Sequence, residues 1–290
     1  MNRPSTFSIV AYDPERQEWG VAVQSKFLAA AAVVSWARAG AGAVATQSYA
    51  NTSYGPRALE WMAQGLSAQE VVARLIAEDE GRAQRQVGVV DAQGNAAAYT
   101  GEGCLAWAGH MVGKHYACQG NILVDERTVQ AMAEAFETTR GELAERLVAA
   151  LAAGQAAGGD RRGQQSAGLL VVREGGGYGG FNDRYIDLRV DDDPQPVEKL
   201  RQLLELHHLY FGTPRPEDWL QIEGEIAREL QRMAAKTGWY RGPIHGEYDA
   251  ATRTALRALI GVENLEERFR EEEGLIDVLA LKVLRQRMGA

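Results

Sequence analysis

The chain opens on two apolar runs, "TFSIVAYD" and "EWGVAVQSKF", separated by a polar, proline-containing segment. Both runs are rich in Val, Ile and aromatic residues and carry polar residues at alternating positions, which is the period of a strand. They predict strands over 6–12 and 19–27, with "DPERQE" as an Asp-Pro turn between them. "AGAVATQSYA" predicts a third, Gly/Ala-rich strand. The period then lengthens. "YGPRALEWMAQGL" places Pro56 at a first helical position and ends at Gly65. "SAQEVVARLIAED" follows, with Ser67 three residues before Glu70, the spacing of a capping box. "RQVGVVDAQGNAAAYTG" reads as strand, Gly-containing turn, strand, and "YACQGNILV" as a further strand. Helical spacing returns over 126–138 and 141–155, before two more strands in "QSAGLLVVRE" and "YIDLRVD".

The order is therefore strands, a helix pair, strands, a helix pair, strands. Short turns imply antiparallel neighbours. Two sheets face to face, each with a helix pair outside, would make a four-layer α/β/β/α sandwich; two- or three-layer α+β arrangements satisfy the same pattern. The pattern changes near 191. "DDDPQPVEKL" combines acidic residues with two prolines, "RQLLELHHLYFG" is an amphipathic helix, and "TPRPEDW" is a second proline-rich break. The spacing predicts an all-helical region over 217–290, which gives domains over 1–211 and 213–290.

The chain has 290 residues, enough for a sizeable core, with 46% apolar and 24% charged residues, as in ordinary globular proteins. The net charge of -8 and the absence of a Lys/Arg block argue against a nucleic-acid partner. The two cysteines, Cys104 and Cys118, form neither a CxxC spacing nor a disulfide framework, which fits a reducing compartment. "MNRPSTFSIV" lacks an apolar stretch with a small-residue cleavage site, so no signal peptide is read and a cytoplasmic location is expected. The longest apolar run, "FLAAAAVVSWA", is too short to span a membrane. His110 and His115 are not at helical i, i+4 spacing and no acidic partner completes a ligand set, so neither a metal nor a cofactor is expected.

Candidate chemistry concentrates at strand ends. Thr6, at the tip of the first strand, is either an edge residue or a nucleophile whose base is its own α-amino group. Gln24, Ser25 and Lys26 close the second strand. Lys26 is either a solvated strand-end cation or a group that perturbs a neighbouring pKa or holds a substrate carboxylate. Gln47, Ser48 and Asn51 lie in "TQSYANTSYG", as oxyanion donors or as turn caps. "QGN" places Gln119 and Asn121 around Gly120, a site of close ligand approach or a bulge. "GGDRRGQQSAG" gathers Asp160, Arg161, Arg162 and Gln165. The arginines suit a bidentate clamp on a carboxylate, and a surface loop with an internal salt bridge is the alternative. Cys104 and Cys118 suit small core positions. The glycine-rich stretch at 175–180 lacks the strand–loop–helix context of a phosphate cradle.

"TFSIVAYDPERQEWGVAVQSKF", "GAVATQSYANTSYGPRALE", "RQVGVVD", "AAAYTGEGCLAWAGH", "QGNIL", "GGDRRGQQSAGLLVV" and "DLRVDDDPQPVEKLRQL" together resemble the bacterial DUF1028 family over roughly 6–211. That family is assigned to the N-terminal-nucleophile (Ntn) hydrolase-like fold. "GWYRGPIHGEYDAATRTALRALI" is similar to the peptidoglycan-binding domain found behind DUF1028, over about 213–288. Family members commonly start Met-Thr-Phe-Ser, and Thr6 matches that Thr. The resemblance implies an amidohydrolase acting on a small amide or peptide-like substrate through Thr6; the residues themselves add Lys26, at the end of the neighbouring strand, and Asp160, placed either to pair with an arginine or to hold the α-ammonium of a terminal Thr6, as further catalytic candidates. Here "MNRPS" precedes Thr6, so that mechanism requires cleavage at Ser5–Thr6 or another translation start. A non-catalytic protein that binds peptidoglycan fragments on the same scaffold stays open. So does a dimerising or substrate-gating role for the helical module, with a homodimer as the assembly.

Overall fold

The computed structural model describes residues 6–289; "MNRPS", and with it the expected cleavage at Ser5–Thr6, lies outside the described residues. The chain divides into two compact units between Leu204 and Glu205.

The first unit begins with β1 (Thr6–Asp13), β2 (Glu18–Ser25), the short α1 (Ala31–Val34), β3 (Ser35–Arg38) and β4 (Gly42–Ser48). α2 (Tyr54–Ala63) and α3 (Ala68–Ala77) lead to β5 (Arg85–Asp91), β6 (Ala96–Thr100), β7 (Gly109–Gly113) and β8 (Tyr116–Asn121). α4 (Arg127–Thr138) and α5 (Leu143–Ala156) precede β9 (Ser166–Val172), β10 (Arg184–Val190) and α6 (Pro196–Phe211), which runs on into the second unit.

Two sheets result, of order β10-β9-β2-β1-β8-β7 and β3-β4-β5-β6, and every pairing within them is antiparallel. All eight residues of β1 are buried, because both of its faces are covered. Phe7, Ile9 and Ala11 join Met132, Phe136, Leu147 and Leu151 of α4 and α5 in one core. Val10 and Tyr12, on the other face, pack with Ala43, Ala45 and Val90 of the second sheet. That sheet turns Val44, Val87 and Val89 outward onto Tyr54, Met62 and Leu75 of α2 and α3. The period-2 alternation of β1 thus divides its side chains between two cores.

Local signals form as the residues dictate. Asp13 Oδ1 accepts the backbone N–H groups of Glu15 (2.9 Å) and Arg16 (3.2 Å), which closes the β1–β2 turn. Ser67 and Glu70 make the reciprocal capping box of α3. β3 and β7, which the pattern did not separate from their neighbours, are edge strands of four and five residues.

The second unit holds β11 (Trp219–Gln221), α7 (Gly224–Lys236), α8 (Ala250–Val262), β12 (Phe269–Arg270), β13 (Leu275–Asp277) and α9 (Val278–Met288). It is mainly helical around Leu230, Leu256, Leu259 and Leu281. A three-stranded sheet, β11-β13-β12, corrects the expectation of helices alone. Its strands have two or three residues, too few to display a period. No helix among the described residues is long and apolar enough to cross a membrane.

Candidate functional site

Thr6 begins β1, level with Ser25 of β2 on one side and Asn121 of β8 on the other. Its Oγ1 lies 3.1 Å from Ser25 Oγ, a hydrogen bond that either hydroxyl can donate. Its carbonyl accepts from Gln47 Nε2 of the facing sheet (3.3 Å) and from Asn121 Nδ2 (3.5 Å). Sheet order therefore brings four sequence candidates, Thr6, Ser25, Gln47 and Asn121, to one strand end.

Behind Thr6, amide side chains bridge the two sheets. Ser8 Oγ donates to Gln47 Oε1 (2.5 Å) and accepts from Gln119 Nε2 (2.6 Å). Gln86 Oε1 accepts from Gln47 Nε2 and from Asn121 Nδ2, both at 2.9 Å. Gln86 Nε2 donates to the Gly120 carbonyl (2.7 Å) and to Thr100 Oγ1 (2.9 Å), which in turn meets His110 Nδ1 at 2.9 Å. Ser8, Gln47, Gln86 and Gln119 are buried, so these bonds form where water does not compete, and a half-satisfied network there is costly. Gly88 makes the space: a Cβ on it would overlap the Gln119 amide. Ser8, Gln86 and Thr100 were not sequence candidates. Their one legible signal is a polar residue inside an otherwise apolar strand.

Gln24 stands level with Phe7 and Ala167, both in the core under α4 and α5, and so lies on the face turned away from Gln47. It is fully buried, and its amide makes no hydrogen bond among the described residues.

The "GGDRRGQQ" loop holds the end of β2. Asp160 is buried; its carboxylate accepts the Lys26 backbone N–H (2.9 Å), the Arg162 backbone N–H (2.9 Å) and Arg162 Nη2 (3.1 Å). Gln165 N donates to the Ser25 carbonyl (3.0 Å), and its amide to Asp192 (3.1 Å). Lys26 Nζ is engaged by the Gln164 carbonyl (3.0 Å), and exposed Arg161 reaches the Val124 carbonyl (3.4 Å). Lys26, Arg161 and Gln165 thus point their polar ends at the loop and its neighbours.

Asn51 belongs to another cluster. Its amide donates to Asp79 (3.1 Å), which also accepts from Arg85 Nε (2.9 Å), Tyr54 OH (2.8 Å) and Gly81 N (2.7 Å). Arg85 holds the Asp79 carboxyl well below the usual carboxylate range, helped by Asn51 and Tyr54. Burial, and then Asp79, push the Tyr54 phenol up. Arg85 Nη1 donates to the Tyr49 carbonyl (2.6 Å), and its guanidinium lies 5.3 Å from the Tyr49 ring centroid. Burial pushes the Cys118 thiol up, away from nucleophilic use, and Cys104 Sγ lies 3.4 Å from the Arg85 carbonyl.

Beside Thr6 lies a cleft of about 190 Å³ lined by Phe27, Ala30, Val33, Val34, Tyr49 and Ala50, with Thr6, Gln47 and Ser48 on its polar side. Ser48 has φ +67° and Ile122, just after Asn121, has φ +52°. Both are left-handed conformations disfavoured for these side chains, and such strain clusters at ligand sites.

The model of a family described as "Family of unknown function (DUF1028)" matches residues 6–200. A second, described as "Putative peptidoglycan binding domain", matches 210–284. Among solved structures, the chain is similar to the crystal structure of a DUF1028 protein from Silicibacter pomeroyi. That match has 31% identity and TM-score 0.65, and covers 72% of this chain and 91% of the other. No curated protein matches.

Proposed function

The chain belongs to the DUF1028 family, and we propose that its first unit is an Ntn-type amidohydrolase with Thr6 as nucleophile on an α/β/β/α sandwich. The packing of α4 and α5 outside one sheet, and of α2 and α3 outside the other, supports that fold. One observation carries the chemistry: Thr6 sits at the end of a fully buried central strand, with its hydroxyl 3.1 Å from Ser25 Oγ and at the edge of a cleft. In a chain that begins at Thr6, the α-amino group, with an ordinary pKa of roughly 8, takes the Oγ1 proton. Oγ1 bonds to the substrate carbonyl carbon, the C–N bond breaks, and the amine departs with the proton. Water then hydrolyses the Thr6 ester and releases the acid. Ser25 orients Oγ1, and Gln47, Asn121 and Gln119 fix the strand end. Asp160 and Arg162 fix the end of β2.

The test is an assay of small acyl anilides on preparations defined by intact mass. A chain starting at Thr6 turns over. Thr6→Ala lowers the rate by several orders of magnitude, and Thr6→Ser keeps part of it. A verified uncleaved chain that is equally fast overturns the amino-group mechanism.

The match at 210–284 supports a second reading, a protein that binds peptidoglycan fragments without turnover. Muropeptide binding by a chain that hydrolyses no amide in the panel would favour it.

A further inference from the structure

The wall of the Thr6 cleft is formed by Phe27, Ala30, Val33, Val34, Tyr49 and Ala50, and none of the described residues lining it is charged. Of its polar residues, Gln47 is committed elsewhere: its Oε1 accepts from Ser8 and its Nε2 donates to Gln86 and to the carbonyls of Thr6 and Gln119. Polar recognition on this wall falls to Thr6 and Ser48. Arg85, whose guanidinium lies beside the Tyr49 ring, is paired with Asp79. Among the described residues, no side chain on this wall offers a countercharge to a carboxylate or ammonium entering here, and the Thr6 α-amino group acts as base in its uncharged form, whereas a hydrocarbon group gains by leaving water. The space, about 190 Å³, exceeds the roughly 150 Å³ of an apolar cavity that takes benzene.

We propose that this cleft is the acyl subsite, selective for an uncharged aromatic or branched aliphatic group of about the size of a benzene ring. The term acyl rests on the reading of Thr6 as nucleophile: the ester on Oγ1 keeps the acyl group beside this wall through both half-reactions. The selectivity for an uncharged group rests on the wall alone.

The two parts separate experimentally. Benzamide and 4-carbamoylbenzoate, the same ring with a carboxylate, are titrated by ligand-observed NMR into the full chain and its Thr6→Ala variant. Benzamide binds both proteins, and the charged analogue binds at least about ten-fold more weakly. Half-buried Val33→Asp, checked for folding by circular dichroism, weakens benzamide at least about ten-fold; half-buried Ala50→Asp does the same if the first variant does not fold. Equal binding of the two ligands, or benzamide binding indifferent to the introduced carboxylate, overturns the subsite. A protein that binds benzamide selectively yet hydrolyses no amide loses the nucleophile and keeps the apolar subsite. One that hydrolyses amides but binds both ligands equally keeps the nucleophile and loses the subsite.

Discussion

The side-chain amide of Gln47 reaches from one sheet to the backbone carbonyl of Thr6 in the other, at 3.3 Å. The same amide bonds to Ser8, Gln86 and the Gln119 carbonyl, so one residue ties together the strand end, the facing sheet and β8. Gln47→Ala removes these bonds: the buried Ser8 hydroxyl loses its acceptor, the Thr6 and Gln119 carbonyls lose a donor, and Gln86 Oε1 keeps only Asn121. The expected loss is about 2–4 kcal/mol, combining the orphaned polar groups with the cavity. Urea unfolding measures it. A loss within about 0.5 kcal/mol, the scale of an ordinary surface change, would show that the network holds nothing.

The Asp79 cluster gives the first unit a defined acid sensitivity. Its folded pKa lies below the ordinary value of 3.8, chiefly through Arg85. As the pH falls, the unfolded chain takes up this proton first. The stabilisation is present above the ordinary value and is lost as the pH falls through the folded one. Wild type should therefore exceed Asp79→Asn in urea midpoint at about pH 6, and the gap should shrink at about pH 3. A gap of the same size at both would assign the difference to shape instead of charge.

Arg268 plays the corresponding part in the second unit. Nearly buried, it pairs with Asp277 (2.8 Å) and donates to the carbonyls of His208, Leu209 and Gly212. Asp277 also caps α9 through the backbone N–H groups of Leu279 (2.9 Å) and Ala280 (3.2 Å). Arg268→Leu leaves a buried carboxylate without its countercharge, at a cost of roughly 3–5 kcal/mol. Hydrogen exchange read by mass spectrometry should show faster exchange in peptides of 215–289 and unchanged exchange in peptides of 6–190. Equal loss in both would mean that the two units unfold as one.

The sequence by itself determined what depends on neighbours along the chain. The Asp13–Pro14 turn, the Ser67–Glu70 capping box and the split of β1 into two faces follow from backbone preference and periodicity, which act over a few residues. The resemblance carried by "TFSIVAYD" and "GGDRRGQQ" identified the family for the same reason, since it is a string of residues in order. Tertiary structure alone decided what those residues touch. Alternation says that Phe7 and Ser8 lie on opposite faces, but not that Ser8 meets Gln47 and Gln119 while Phe7, with Gln24 level with it, sinks under α4 and α5. Asn121 reaches Thr6 because β8 pairs with β1 across more than a hundred residues, while Asn51, close to Gln47 in sequence, turns to Asp79. Strand pairing over such separations is set by the total burial and hydrogen bonding of the sheets. No local pattern encodes that sum, so the polar network behind Thr6 became visible only when the two sheets were laid face to face.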